Sequence, residues 1–154
     1  MAHSAELTTG RRIGLVLNAG DDVLSSIADA CVEHDIYQAV IPLFLGAFRS
    51  VRFIASDSPI LDQEAPLKDA TEVAYVEGLG SGTITWNPTT STHQVHVHVA
   101  VGVKDSAAAA FAGHLLAAET HYVAEIVIDE ILSPVMRRVS DPSAYGLENL
   151  RFGD

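Results

Sequence analysis

The chain carries a single cysteine, Cys31, in 154 residues. No intrachain disulfide can form, and a cysteine-ligated zinc cluster is excluded. A reducing compartment, the cytoplasm, is the simplest expectation. Basic residues are also scarce, 9 against 20 acidic, for a net charge of −11. Arg11–Arg12, Arg49, Arg52 and Arg137–Arg138 are scattered pairs or singles and read as solvated surface. DNA affinity depends chiefly on neutralising phosphates, so this balance argues against direct nucleic-acid binding, although a folded basic patch would override the average. Long apolar runs are missing. The longest uncharged one, Ala39 to Phe48, has ten residues and contains Pro42 and Gly46, too short to span a bilayer, so no membrane association is expected. The opening MAHSAELTTGRR has no apolar core and no secretion signal. Gly78-Leu79-Gly80-Ser81-Gly82 is not followed by Gly-Lys-Ser/Thr, and the next residues are strand-like, so it reads as a hairpin turn and not a phosphate loop. No Gly-x-Ser-x-Gly elbow occurs, nor any internal repeat or linker.

What is present points to one folded domain. Hydrophobic residues make up 48% and charged residues 19%, a globular balance in a chain long enough to bury a core. Arg12 to Asn18 reads as a strand, and Gly20-Asp21-Asp22 as a turn and helix N-cap. From Val23 to His34, positions Val23, Leu24, Ile27, Ala28, Cys31 and Val32 share a helical face; Cys31 there is a buried small apolar residue and not a nucleophile. Tyr37 to Ala55 suggests two strand portions bent near Gly46 by a bulge or tight hairpin, with Pro42 where no ladder N–H is needed. Ser56 to Asp69 reads as a polar loop with Pro59, Pro66 and the acids Asp57, Asp62, Glu64 and Asp69. Thr71 to Val76 and Thr83 to Trp86 are strand-like, Lys104 to Phe111 is a small-residue connector with room for one helical turn, and Gly113 to Ala118 is a brief strand-like or irregular piece. Val123 to Leu132 alternates as a final strand, stopped by Ser133-Pro134, and an irregular tail follows.

The chemistry concentrates between His93 and Glu125, which hold five of the seven histidines: His93, His96, His98, His114 and His121. Val95, Val97, Val99, Val101 and Val103 alternate with other residues, a strand period that puts Gln94, His96 and His98 on the opposite face. Side chains two apart on a strand lie roughly 6.5 Å apart and parallel. Two imidazoles so placed can reach one ion, since a zinc–nitrogen bond is about 2.1 Å. His114 lies after a connector long enough to return the chain as a neighbouring strand, and would add a third nitrogen. The plain alternative is a half-exposed sheet edge with valines inward and histidines outward. His93 falls on the valine side and His121 farther along; neither is expected to be a ligand.

The order of these signals resembles the plants-and-prokaryotes-conserved (PPC) domain. The likeness runs from about Arg12 to about Leu132, through the opening strand with Gly20-Asp21-Asp22, the Gly46-Ala47-Phe48-Arg49-Ser50-Val51 segment, and above all His96-Val97-His98-Val99, Ala112-Gly113-His114-Leu115 and Ala124-Glu125-Ile126. Ala112 stands where the family usually has a glycine. The resemblance implies an α/β (α+β) fold with a mainly antiparallel mixed sheet, one principal helix after the first strand, and a homotrimer. It implies a tail at residues 1–10, a PPC-like domain at 11–132, and an extension at 133–154 packed on the domain or a neighbouring subunit. It also implies that His96, His98 and His114 hold zinc or another divalent transition metal. In plants the family's DNA-binding function sits in an attached AT-hook, and this chain has no Arg-Gly-Arg-Pro hook.

Three functions stay open at this level. One is a trimeric metal-binding domain with a structural, sensing or small-ligand role. The second is a zinc-dependent enzyme acting on a small molecule, for which Glu72, Glu77, Glu119 or Glu125 could serve as the nearby carboxylate. The third is a DNA-binding or transcription-associated protein, by family analogy alone.

Overall fold

A computed structural model describes residues 3–55, 70–144 and 146–153 of the chain. The loop expected at Ser56 to Asp69 lies outside the described residues. Seven strands and one α-helix are described: β1 Thr8–Asn18, α1 Val23–Glu33, β2 Ala39–Ile54, β3 Thr71–Asn87, β4 Thr92–Val103, β5 Ala109–Ser133, β6 Met136–Ser140 and β7 Glu148–Phe152. The main sheet runs β1-β5-β2-β3-β4 with every pairing antiparallel, and β4 also pairs with β5. That extra pairing closes β2, β3, β4 and β5 into a ring. The expected α+β architecture, with its principal helix after the first strand, is present.

The helix starts where the sequence signals it. The Asp22 carboxylate accepts from the Ser25 N–H at 2.8 Å and from the Ser25 hydroxyl at 2.9 Å, satisfying a donor that the first turn leaves free. Val23, Ile27, Ala30 and Cys31 are buried, but Val32, expected on that face, is exposed. Burial pushes the Cys31 thiol up to about 11, which leaves it inert as a nucleophile. The helix packs on β4, β5 and β1. Its apolar stripe joins Leu17, Ile36, Phe44, Phe48, Ile84, Val97, Val99, Val101, Ile126 and Ile128 in one core.

Four expectations about strands are corrected. Tyr37 to Ala55 contains one continuous strand, without a hairpin at Gly46; register shifts against β5 fall beside Gly46 and around Pro42, so the bulge is real and the turn is not. The Gly78–Gly82 stretch is likewise mid-strand. Val76, Gly78, Gly80, Gly82 and Ile84 face inward by alternation, and a Cβ at the three glycines would sit 2.4, 2.5 and 2.3 Å from the carbonyl oxygens of Ala100, His98 and His96. Glycine in a strand here marks close approach of backbones and room for Phe44, not a turn. The pieces around Gly113 and Val123 are one 25-residue strand, β5. Finally, the tail is not irregular: β6 and β7 pair antiparallel. Gln38 fastens it, donating to the carbonyls of Ile131 and Pro134 at 3.0 Å each and accepting from the Met136 N–H at 2.7 Å.

Two of the scattered arginines pair across the β1–β5 ladder. Arg11 grips Glu130 through Nε and Nη2 at 2.9 Å each, and Arg12 grips Asp129 at 2.6 and 2.7 Å. The sheet face away from the helix exposes several apolar side chains around Glu125. Val16, Glu125, Leu45, Leu79 and Ala100 form a row across the strands by register, and Val16 and Leu79 are 62% and 65% exposed.

Candidate metal centre

Two neighbouring strands build the site. His96 and His98 stand on the outer face of β4, held there because Val97 and Val99 occupy the core. His114 is brought alongside by the β4–β5 ladder, where it lies directly across from His98. On its other side β5 lies close to β2 at Gly113, where a Cβ would be 2.5 Å from the Ile54 carbonyl oxygen. The three ring centroids are 5.1 Å (His96–His98), 4.6 Å (His96–His114) and 5.5 Å (His98–His114) apart. One nitrogen from each ring lies within 4.8 Å of the others, so the cluster could hold one metal ion. Tetrahedral zinc would ask for nitrogens about 3.4 Å apart, so the rings would have to draw in to hold it. The rings show no hydrogen bond to a side chain or backbone group among the described residues. His114 Nδ1 is buried without a hydrogen-bond partner, a costly arrangement for an imidazole unless something else meets it.

The environment favours the neutral form of His96 and His114. Burial pushes the His96 imidazole down to about 4, helped by the positive charge of Arg138 and by His114 and His98. His114 is lowered by burial first, then by His98 and Arg138. A neutral imidazole is the form that binds a metal. The rings open onto a cleft of about 560 Å³ also lined by Ile54, Gln94, Val95, Arg138, Leu147 and Glu148.

Part of this lining was not legible as a site. Arg138 and Glu148 come from β6 and β7. Arg138 donates from Nη2 to the Thr83 hydroxyl at 2.7 Å and from Nη1 to the Glu148 carbonyl at 3.3 Å. Thr83 is the cross-strand partner of His96, which sets the guanidinium beside the cluster. Gln94 donates to the Glu148 carboxylate at 2.9 Å. Strands of five residues among Pro134, Pro142 and Gly146 carry too little alternation to announce themselves.

None of the four carboxylates singled out in the sequence lines the cleft. Glu72 is opposite Arg52 in the β2–β3 ladder, Glu119 pairs with Arg49 at 2.5 Å, and Glu125 is on the open sheet face opposite Leu45. Glu77 lines a separate cleft with Tyr75, His121 and Tyr122. His121 is therefore away from the cluster, tilted against Tyr122 and edge-on to Tyr75. His93 is also apart, its Nε2 at 2.7 Å from the Ile36 carbonyl oxygen.

Fold and cluster together define a class: an antiparallel α+β domain that presents three imidazoles from two adjacent strands. The Plants and Prokaryotes Conserved (PCC) domain profile matches residues 4–132, and the chain belongs to that family. Among solved structures it is similar to a plant- and prokaryote-conserved (PPC) protein from Pyrococcus horikoshii, at 20% identity and a TM-score of 0.75 over 96% of this chain and 97% of that one. A metal-containing protein from Archaeoglobus fulgidus matches at 24% identity and a TM-score of 0.73, over 96% and 98%. A protein from Ralstonia eutropha JMP134 with a provisional DNA-binding name matches at 20% identity and a TM-score of 0.74, over 90% of each chain. At such identities the likeness speaks for the fold. No curated protein matches the chain, and no helix among the described residues is long and apolar enough to cross a membrane.

Proposed function

We propose that this chain is a metal-binding domain in which His96, His98 and His114 hold one divalent transition ion, zinc foremost, and leave a position open to a small-molecule ligand. The observation that carries the reading is the convergence of three imidazoles, one nitrogen from each within 4.8 Å of the others, at the wall of a cleft. Three protein nitrogens and an accessible fourth position are the pattern of a zinc site that receives ligands. The bound ion would supply Lewis acidity toward whatever enters. The chain's own part is to favour neutral His96 and His114 by burial and by the charge of Arg138, and to fix the spacing of the rings through the β4–β5 ladder. The family resemblance and the metal-containing Archaeoglobus relative lend support.

The same reading takes residues 11–132 as the domain, 1–10 as a tail and 133–154 as an extension completing the cleft. It takes the assembly as a homotrimer, supported by the open apolar row of Val16, Leu45 and Leu79, and the compartment as the cytoplasm, supported by the lone buried thiol. The Glu148 carboxylate in the cleft favours a second reading, a zinc-dependent enzyme acting on a small molecule, with Glu148 handling the proton. Direct DNA contact finds no support in the net charge of −11.

Elemental analysis of the purified protein tests the main reading. It should find one transition metal per chain, zinc should raise the melting temperature of the chelator-treated protein, and His98→Ala should abolish both. Absence of stoichiometric metal together with an unmoved melting temperature would refute it.

A further inference from the structure

The metal reading leaves Arg138 unexplained. An arginine half-buried beside three imidazoles works against a bound cation, and burial lowers its own pKa. Among the described residues it makes no ion pair. The Glu148 carboxylate accepts from Gln94 instead. Two hydrogen bonds, to Thr83 and to the Glu148 carbonyl, hold the guanidinium in place. They use two of its five N–H donors. A guanidinium fixed at both Nη atoms at a cleft wall is preorganised for a planar or tetrahedral oxyanion, which it grips as a fork. Next to a dication the demand for negative charge only grows. The rest of the lining mixes Ile54, Val95 and Leu147 with Gln94, Asn149 and Glu148, whose charge offsets part of that of Arg138, and the cleft's volume of about 560 Å³ suits a metabolite-sized molecule.

We infer that the cleft binds a small molecule carrying a carboxylate or phosphate, with that oxyanion held by Arg138 and the rest of the molecule reaching toward His96, His98 and His114. The inference rests on the metal reading for the ligand's second anchor, while the Arg138 contact stands without it. A polyanion is a poor fit, because a chain of net charge −11 whose described cleft lining carries a single arginine would repel it.

Calorimetric titration of the full chain with succinate and, separately, inorganic phosphate tests this, in zinc-loaded and chelator-treated protein. At least one anion should bind the wild type, and the stronger of the two names the oxyanion. Arg138→Gln should weaken that binding by about tenfold or more, a loss of about 1.4 kcal/mol. Arg138→Lys, which keeps the charge but not the fork, should fall between. Zinc content and melting temperature identify the variants that remain folded and loaded. Equal affinity in folded Arg138→Gln and wild type would overturn the inference, as would failure of both anions to bind zinc-loaded wild type. Should no form hold zinc while Arg138 still governs anion binding, the metal reading falls and the arginine assignment stands.

Discussion

His96 is the residue on which the site's electrostatics converge. Burial disfavours its charged form, and the Arg138 cation and two neighbouring rings push the same way, to about 4 from an ordinary 6.5. The sign of the resulting pH dependence follows. The unfolded chain takes up this proton near 6.5 and the folded chain only near 4, so the contribution to stability is complete above 6.5 and is lost as pH falls from there to 4. In chelator-treated protein, the His96 ring followed by NMR should stay neutral down to about pH 4. Arg138→Gln should move its midpoint upward toward 6.5, because the repelling charge is gone. A midpoint unmoved by that substitution would mean that the guanidinium does not sit beside the ring.

At the scale of elements, the β3–β4 pair is set by three glycines with carbonyls pressed against them. Gly80→Ala would put a Cβ 2.5 Å from the His98 carbonyl oxygen and 2.8 Å from the Phe44 ring. Backbone cannot yield cheaply, so the variant should lose about 1–3 kcal/mol in urea denaturation. It should also bind metal more weakly, since His98 moves with its carbonyl. The same strands show what was legible in sequence. The valine alternation declared β4, its inward face and its outward histidines, because one buried face imposes a strict period of two. The helix declared itself through Asp22 and its apolar spacing. The glycines were misleading because a turn and a close strand approach demand the same residue, and only the partner strand distinguishes them. β5 read as pieces because its centre, from Ala117 to Tyr122, mixes small, acidic and aromatic residues where pairing partners change. Arg138 was invisible as a site residue because its meaning comes from Thr83, 55 positions away.

For the whole molecule, the open row of Val16, Leu45 and Leu79 is the feature that a lone chain leaves unpaid for in water. If copies of the chain cover it, light scattering should give three times the 16.4 kDa chain mass, and Leu79→Asp should drop it toward a single chain. A wild-type protein at monomer mass would remove the trimer. The cleft also divides by origin: its imidazoles come from β4 and β5, within the stretch the family profile matches, and its guanidinium from a small two-stranded sheet beyond residue 132. On the proposed reading, the ion's ligands and the oxyanion's arginine would lie on separate lengths of polypeptide. A different closing hairpin grafted after Ser133 would retune what enters while leaving the nitrogen trio untouched, which makes the stretch beyond Ser133 the natural place for selection, or a designer, to change the cargo.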